Sequence, residues 1–254
     1  MDIHEELLMF AKETAYPYLL SLPLVADYKD EISVLLVGSV AKGLCTEASD
    51  VDMCFLCHNP MQKIITQDYT VMCDEPATVE IDGKQLSYWA IGYEYLVDQL
   101  FCFDEIRFDA YGNAIALNDN SGLYAKVKDL IFNEELFSKR KEITITTLLE
   151  ENNELKQVFE TSRDPVYRTK SALHVIELLL KAIALSDHIL YDPRKRLYTT
   201  SLAGKLGIEL TDRVDNLIDS LTNISRGDND KIQREFIQIV TDCISIIIDY
   251  DEKK

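Results

Sequence analysis

VLLVGSVAKGLCTEASDVDMCFL, residues 34–56, decides how the rest of the chain is read. It begins inside EISVLLVG, residues 31–38, a short apolar run rich in β-branched side chains that predicts a buried strand. Gly38-Ser39 ends that strand and opens a helix. Backbone N–H groups at such a start, together with the Ser39 hydroxyl, suit phosphate oxygens. VDMCFLC, residues 51–57, predicts a second buried strand. Asp50 and Asp52 are two residues apart, so both carboxylates leave the same side of it. Two carboxylates aimed into one gap repel each other. A divalent cation relieves the repulsion, and hard oxygen donors suit Mg²⁺. A metal shared between carboxylates and substrate phosphates is a common arrangement in nucleotide chemistry.

Upstream, Ile3, Leu7, Phe10 and Ala11 recur at helical spacing, so residues 3–20 predict a helix with a bend or stop near Pro17. Downstream, residues 58–68 are polar or mixed and carry no clear signal. YTVMC, TVEID and QLSYWAI then predict strands, with Asp82-Gly83 as a tight turn between the last two. YEYLVDQLFCFDEI predicts one helix and NAIALND a further strand, ended by Asn120-Ser121-Gly122. After Gly122 the pattern changes to helical periodicity throughout: LYAKVKDLIF, ITTLLEENNELKQVFE, SALHVIELLLKAIALSDHIL, DRVDNLIDSLTNI and DKIQREFIQIVTDCISIIID. Breaks are expected at Arg163-Asp164-Pro165, Asp192-Pro193, Gly204–Gly207 and Arg226-Gly227-Asp228. SALHVIELLLKAIAL is apolar nearly all round and belongs in the middle of a bundle. The expected organisation is an α/β domain over residues 1–135 and an all-helical domain over 136–254.

The chain has 254 residues, with 26 Lys+Arg against 44 Asp+Glu, a formal net charge of −18. That surface repels a polyphosphate backbone, which argues against nucleic acid as partner. It attracts a cationic small molecule, although acidity also serves solubility alone. No apolar stretch reaches the roughly 18 residues of a membrane span. The acidic start, MDIHEELLMFAKE, does not read as a secretory signal, so a cytoplasmic protein with six reduced cysteines is expected.

The order strand, Gly-Ser, helix, Asp-x-Asp, strand resembles the nucleotidyltransferase superfamily of the DNA polymerase β type. Gly38, Ser39, Asp50 and Asp52 match its signature, and Ser49 precedes the first acid as is frequent there. Chain length, the DNSGLYAKV segment (residues 119–127) and the helical second half look like the aminoglycoside nucleotidyltransferases of the kanamycin type. The resemblance implies an α/β (α+β) domain with a mixed sheet followed by a helical bundle. It implies Mg²⁺ on Asp50 and Asp52, ATP or another NTP as donor, and a hydroxyl of a small acceptor, an aminoglycoside-like antibiotic, as the receiving group. Gly38 and Ser39 would hold the outer phosphates, with Lys42 adding a positive charge. A homodimer is left open, because the kanamycin-type relatives build their sites across one.

Two departures stand out. The third metal-binding carboxylate of this family is expected on the strand before YEYLVDQL, where Ser87 stands. Glu80 and Asp82 on the preceding strand are the replacements at hand, and the kanamycin-type pattern favours Glu80. The family's general base comes from the first long helix of the second domain. Glu150, Glu151 and Glu154 are the candidates, and the spacing aligns best with Glu154. The loss of an acid at Ser87 also fits an impaired member that binds nucleotide without turning it over.

Other signals are weaker. Cys54-Phe55-Leu56-Cys57-His58 matches a haem-attachment pattern, but strand alternation sends the two cysteines to opposite faces, so they read as core. His174 reads as a packed or capped residue. Arg194-Lys195-Arg196 is a short basic cluster. Trp89 with Tyr88, Tyr93 and Tyr95 reads as core or as an acceptor wall.

Overall fold

The computed structural model describes residues 2–73, 76–191, 197–225 and 230–253. The breaks expected at Asp192-Pro193 and Arg226-Gly227-Asp228, and the Arg194–Arg196 cluster, lie outside them. The chain divides into two compact units, 1–133 and 134–254.

The first unit opens with α1 (Ile3–Phe10), a π-helical turn at Ala11–Ala15, α2 (Tyr16–Leu20) and α3 (Pro23–Asp27). Pro17 follows the π-helical turn directly, in a backbone that stays helical through Ala15 and Tyr16, and it lacks the N–H that would continue the ladder. Then follow β1 (Ser33–Val37), α4 (Gly38–Ala41), β2 (Val51–Cys57), α5 (Asn59–Ile65), β3 (Met72–Cys73), β4 (Ala77–Ile81) and β5 (Lys84–Gly92). The unit ends with α6 (Tyr93–Phe101), α7 (Glu105–Gly112), β6 (Ile115–Asp119) and α8 (Leu123–Ile131). The sheet order is β3-β5-β2-β1-β6, with β4 also on β5. It is mixed: β1 runs antiparallel to β2 and β6, β2 is parallel to β5, and β4 is antiparallel to β5.

β1 is buried along its whole length and β2 nearly so, as continuous apolar runs require. Val51, Met53, Phe55 and Cys57 pack with Leu7, Phe10, Ala15 and Leu19 of the N-terminal helices. Cys54, on the other face, meets Tyr111 of α7, so the two cysteines are separated as alternation predicts. Tyr88 and Trp89 are divided in the same way. Tyr88 packs edge-on to Tyr18 at 6.4 Å, and Trp89 reaches Tyr111, so these aromatics form no single acceptor wall.

Three local readings differ from the sequence expectation. α5 occupies the segment that carried no signal. Its N-cap His58 and Pro60 in the first turn start it, and its buried side is only Gln62 and Ile65. The helix expected over YEYLVDQLFCFDEI is two, α6 and α7. Phe103 takes a left-handed φ of 58°, and the Asp104 carboxylate accepts from the N–H groups of Ile106 and Arg107, which starts a new helix. The YTVMC strand shrinks to Met72–Cys73. The Asp82-Gly83 turn is as expected, with φ of 51° and 74° at its two residues, the double left-handed turn of a two-residue hairpin.

The DNSGLYAKV segment joins β6 to α8. Asp119 Oδ1 accepts from Ser33 Oγ at 2.5 Å and from Tyr124 N–H at 3.0 Å, and Oδ2 accepts from Ala125 N–H at 3.0 Å. Its acid therefore caps a helix and ties it to β1.

The second unit is helical among its described residues: α9 (Glu134–Thr161), α10 (Pro165–Ser186), α11 (Leu197–Ser201), α12 (Lys205–Ile224) and α13 (Asp230–Glu252). α10 packs against the other four, which explains why it is apolar nearly all round. Asp164 caps it, accepting from Val166 N–H at 2.9 Å. At its far end Asp187 accepts from Leu206 N–H (2.9 Å), Gly207 N–H (3.1 Å) and Tyr250 Oη–H (2.9 Å), joining three helices at one carboxylate.

Candidate active site

The C-terminal end of β1 and the N-terminal end of β2 meet at the Gly-Ser turn. Val37 lies opposite Asp52 in the antiparallel ladder, and Gly38 follows immediately with φ +73°. A Cβ on Gly38 would overlap Asp52 Oδ2 and stand 3.1 Å from Asp52 Cγ. Glycine is required here twice, for its left-handed backbone and for the carboxylate laid against it.

The loop between the turn and the acids is internally braced. Leu44 N–H donates to Ser39 O at 2.9 Å, and Gly43, with φ +66°, turns the chain. Thr46 N–H donates to Ser49 Oγ at 2.9 Å, while Ser49 N–H donates to Thr46 O at 3.0 Å. Ser49 therefore closes the turn that delivers Asp50. Two distant residues hold α4. His4 Nε2 hydrogen-bonds to Val40 O at 3.0 Å, and Lys42 pairs with Asp109 of α7.

Asp50 and Asp52 are both half-buried and leave the same side of β2. Ser87 of β5 is in parallel register with Asp52 and only 4% exposed. Its hydroxyl donates to Asp50 Oδ2 at 3.0 Å. The position expected for a third acid is thus beside the pair, and a serine fills it. Ser39 is half-exposed at the start of α4.

Two of the residues expected here stand elsewhere. Glu80 is exposed on β4 opposite Gln85, on the far edge of β5. At about 4.8 Å per strand its backbone is about 10 Å from β2. Among the described residues no three His, Cys, Asp or Glu come together to hold a metal ion, so Glu80 does not complete the acid pair. Asp82 is in the hairpin turn. Lys42 is committed to Asp109, whose side chain is 6% exposed and also accepts from Asn113 Nδ2 at 3.1 Å. Removing Lys42 to a phosphate would leave a buried carboxylate without its cation.

In the helical unit, α9 buries Leu148, Asn152, Leu155 and Phe159. Glu150 and Glu154 are exposed on the opposite side, whereas Glu151 is half-buried and 3.9 Å from His174 Nε2. His174 is half-exposed between Glu151 and Glu177, not packed inside the bundle.

A divalent cation fits what is present. Two carboxylates on one face supply hard oxygens, and the missing Cβ of Gly38 leaves room for the Asp52 carboxylate. Sequence reading missed His4 and Asp109. Asp109 is 67 residues from Lys42, and no local spacing announces such a contact.

Among described residues no helix is long and apolar enough to cross a membrane. A search of curated proteins finds no match. A nucleotidyltransferase-like protein from Exiguobacterium sibiricum, known from a crystal structure, shares the fold with a TM-score of 0.53 at 10% identity. The superposition covers 97% of this chain and 77% of that one. The family model of the nucleotidyltransferase domain matches residues 24–166, more than half the chain and all of the turn and acid pair just described. The chain belongs to the nucleotidyltransferase domain family.

Proposed function

We propose that the protein transfers a nucleotidyl group, AMP from ATP as first choice, to a hydroxyl of a small cationic acceptor of the aminoglycoside kind, with Mg²⁺ as cofactor. The observation that carries this is the half-buried Asp50/Asp52 pair, with Asp52 laid against Gly38. When bound, a divalent ion on these carboxylates supplies neutralisation of the charge developing on the transferred phosphoryl group. Ser39 and the backbone of the Gly38 turn bind the outer phosphates. The acceptor oxygen forms a bond to the α-phosphorus, the bond to the β-phosphate bridging oxygen breaks, and pyrophosphate leaves. The proton of the acceptor hydroxyl passes to a carboxylate, for which Glu154 is the candidate. The charge of −18 draws a polycationic acceptor towards the protein and disfavours nucleic acid.

Ser87 favours a second reading, a nucleotide-binding or regulatory protein with little or no turnover. Calorimetry with ATP, with and without Mg²⁺, tests both against Asp50→Asn/Asp52→Asn. Mg²⁺-dependent binding that the double variant loses supports the site. Transfer to an aminoglycoside, lost in Glu154→Gln, supports the enzyme. Binding without transfer to any hydroxylated acceptor supports the second reading. No binding of any NTP refutes both.

A further inference from the structure

The acid pair has an uncharged neighbour on each side. On the β1 side, Asp52 is in register with Val37, which is buried. On the β5 side it is in register with Ser87, also buried. The Ser87 hydroxyl points its proton at Asp50 Oδ2, so it acts as a donor to the carboxylate and adds no negative charge. Among the described residues no further acid or histidine joins the pair as a metal ligand. The described residues therefore offer two negative charges here, enough to balance one divalent ion. A second ion would be balanced by substrate phosphates alone.

We infer that this site holds a single divalent ion, and that Ser87 is a positioning residue that fixes Asp50 for it. The inference rests on the nucleotidyl-transfer reading and deepens it. The hydrogen bond at 3.0 Å takes one lone pair of Asp50 Oδ2 and restrains the carboxylate's rotation. With one ion on the donor phosphates, none is left to acidify the acceptor hydroxyl. Its proton then passes to the carboxylate proposed above as base.

The test is a Mn²⁺ titration followed by the electron paramagnetic resonance of free Mn²⁺. It uses the full chain with a saturating non-hydrolysable ATP analogue. The native protein is expected to saturate at one ion per chain–nucleotide complex. Ser87→Thr, which keeps the hydroxyl, behaves alike. Ser87→Ala stays at one ion but binds it on the order of tenfold more weakly, the usual effect of removing a partner of a ligating carboxylate. Ser87→Asp takes up a second ion. A merely structural serine would not change stoichiometry, and melting curves of the variants show whether each is folded. Two ions on the native chain overturn the inference and leave the nucleotidyl-transfer reading standing. Equal affinity in native and folded Ser87→Ala overturns the positioning role. No Mn²⁺ and no nucleotide on the native chain overturns the inference together with the reading beneath it.

Discussion

Gly38→Ala separates two reasons for a glycine. An alanine at φ +73° costs about 1–2 kcal/mol in backbone energy alone. Its Cβ would also overlap Asp52 Oδ2, and the carboxylate must leave its rotamer to make room, a further ~1 kcal/mol. The total expected is about 2–3 kcal/mol. In an Asp52→Ala background the overlap with the carboxylate is gone, and only the backbone part remains. The two substitutions should then couple by about 1 kcal/mol, beyond the ~0.5 kcal/mol within which independent sites add. Denaturant unfolding followed by Trp89 fluorescence reads this directly. The chain has a single tryptophan, and it lies on β5 beside β2 in the unit that carries the site. Strict additivity would refute the argument that Asp52 is laid against Gly38, leaving φ as the sole reason for the glycine. The same variant should lose Mg²⁺-dependent nucleotide binding by displacing Asp52.

Lys42→Met should destabilise the Trp89 transition by about 3 kcal/mol, because it takes the Lys42 ammonium from a buried carboxylate. Lys42→Met combined with Asp109→Leu should recover most of that loss, and no recovery would mean that the pair is not the cause. Burial pulls Glu94 upward, but His58 Nδ1 at 2.5 Å and Asn59 N–H at 2.8 Å outweigh it and hold the carboxyl below the ordinary glutamate range. A carboxyl lowered on folding gives stability above its unfolded value, about pH 4.3, that is lost as pH falls through the folded value. Glu94→Gln should therefore flatten the acid limb of the melting temperature against pH, and an unchanged limb would count against the contact. Burial pushes the Cys57 thiol up to about 12 and Cys243 up to about 11, and Cys54 is buried too. Brief iodoacetamide treatment near pH 8 should modify the exposed Cys73 and Cys102 and spare those three, as peptide mass spectrometry would show.

The elements legible in the sequence are those whose burial is complete or strongly one-sided. β2 is found at the residues its apolar run predicts, and β1 and α10 follow the same logic. α5 was not legible, because a seven-residue helix that buries only Gln62 and Ile65 leaves almost no periodic trace. The split between α6 and α7 was written in Asp104, a capping residue, but the apolar Phe101 and Phe103 around it masked the break. Local periodicity does not separate the π-helical turn at Ala11–Ala15 from the α-helix before it: Ala11 and Ala15 face the core while Lys12 and Glu13 are exposed, as on any amphipathic helix.

The site shows the same division between what spacing carries and what only register carries. Gly38, Asp50 and Asp52 are bound by local rules, a left-handed turn and strand alternation, so sequence alone places them together. Ser87 reads from sequence only as a missing acid. In the folded sheet it is a donor, because the parallel register of β2 and β5 sets it opposite Asp52 and within reach of Asp50. Glu80 had the right chemistry and the right face by alternation. It fails on distance, since β5 stands between its strand and β2. Lys42 had the right place beside the turn, but Asp109, arriving from α7, claims its charge. A replacement for a lost ligand therefore has to be sought among the strands that touch β2. β1 contributes valine there and β5 contributes serine, so among the described residues strand register brings two carboxylates to the turn and not three.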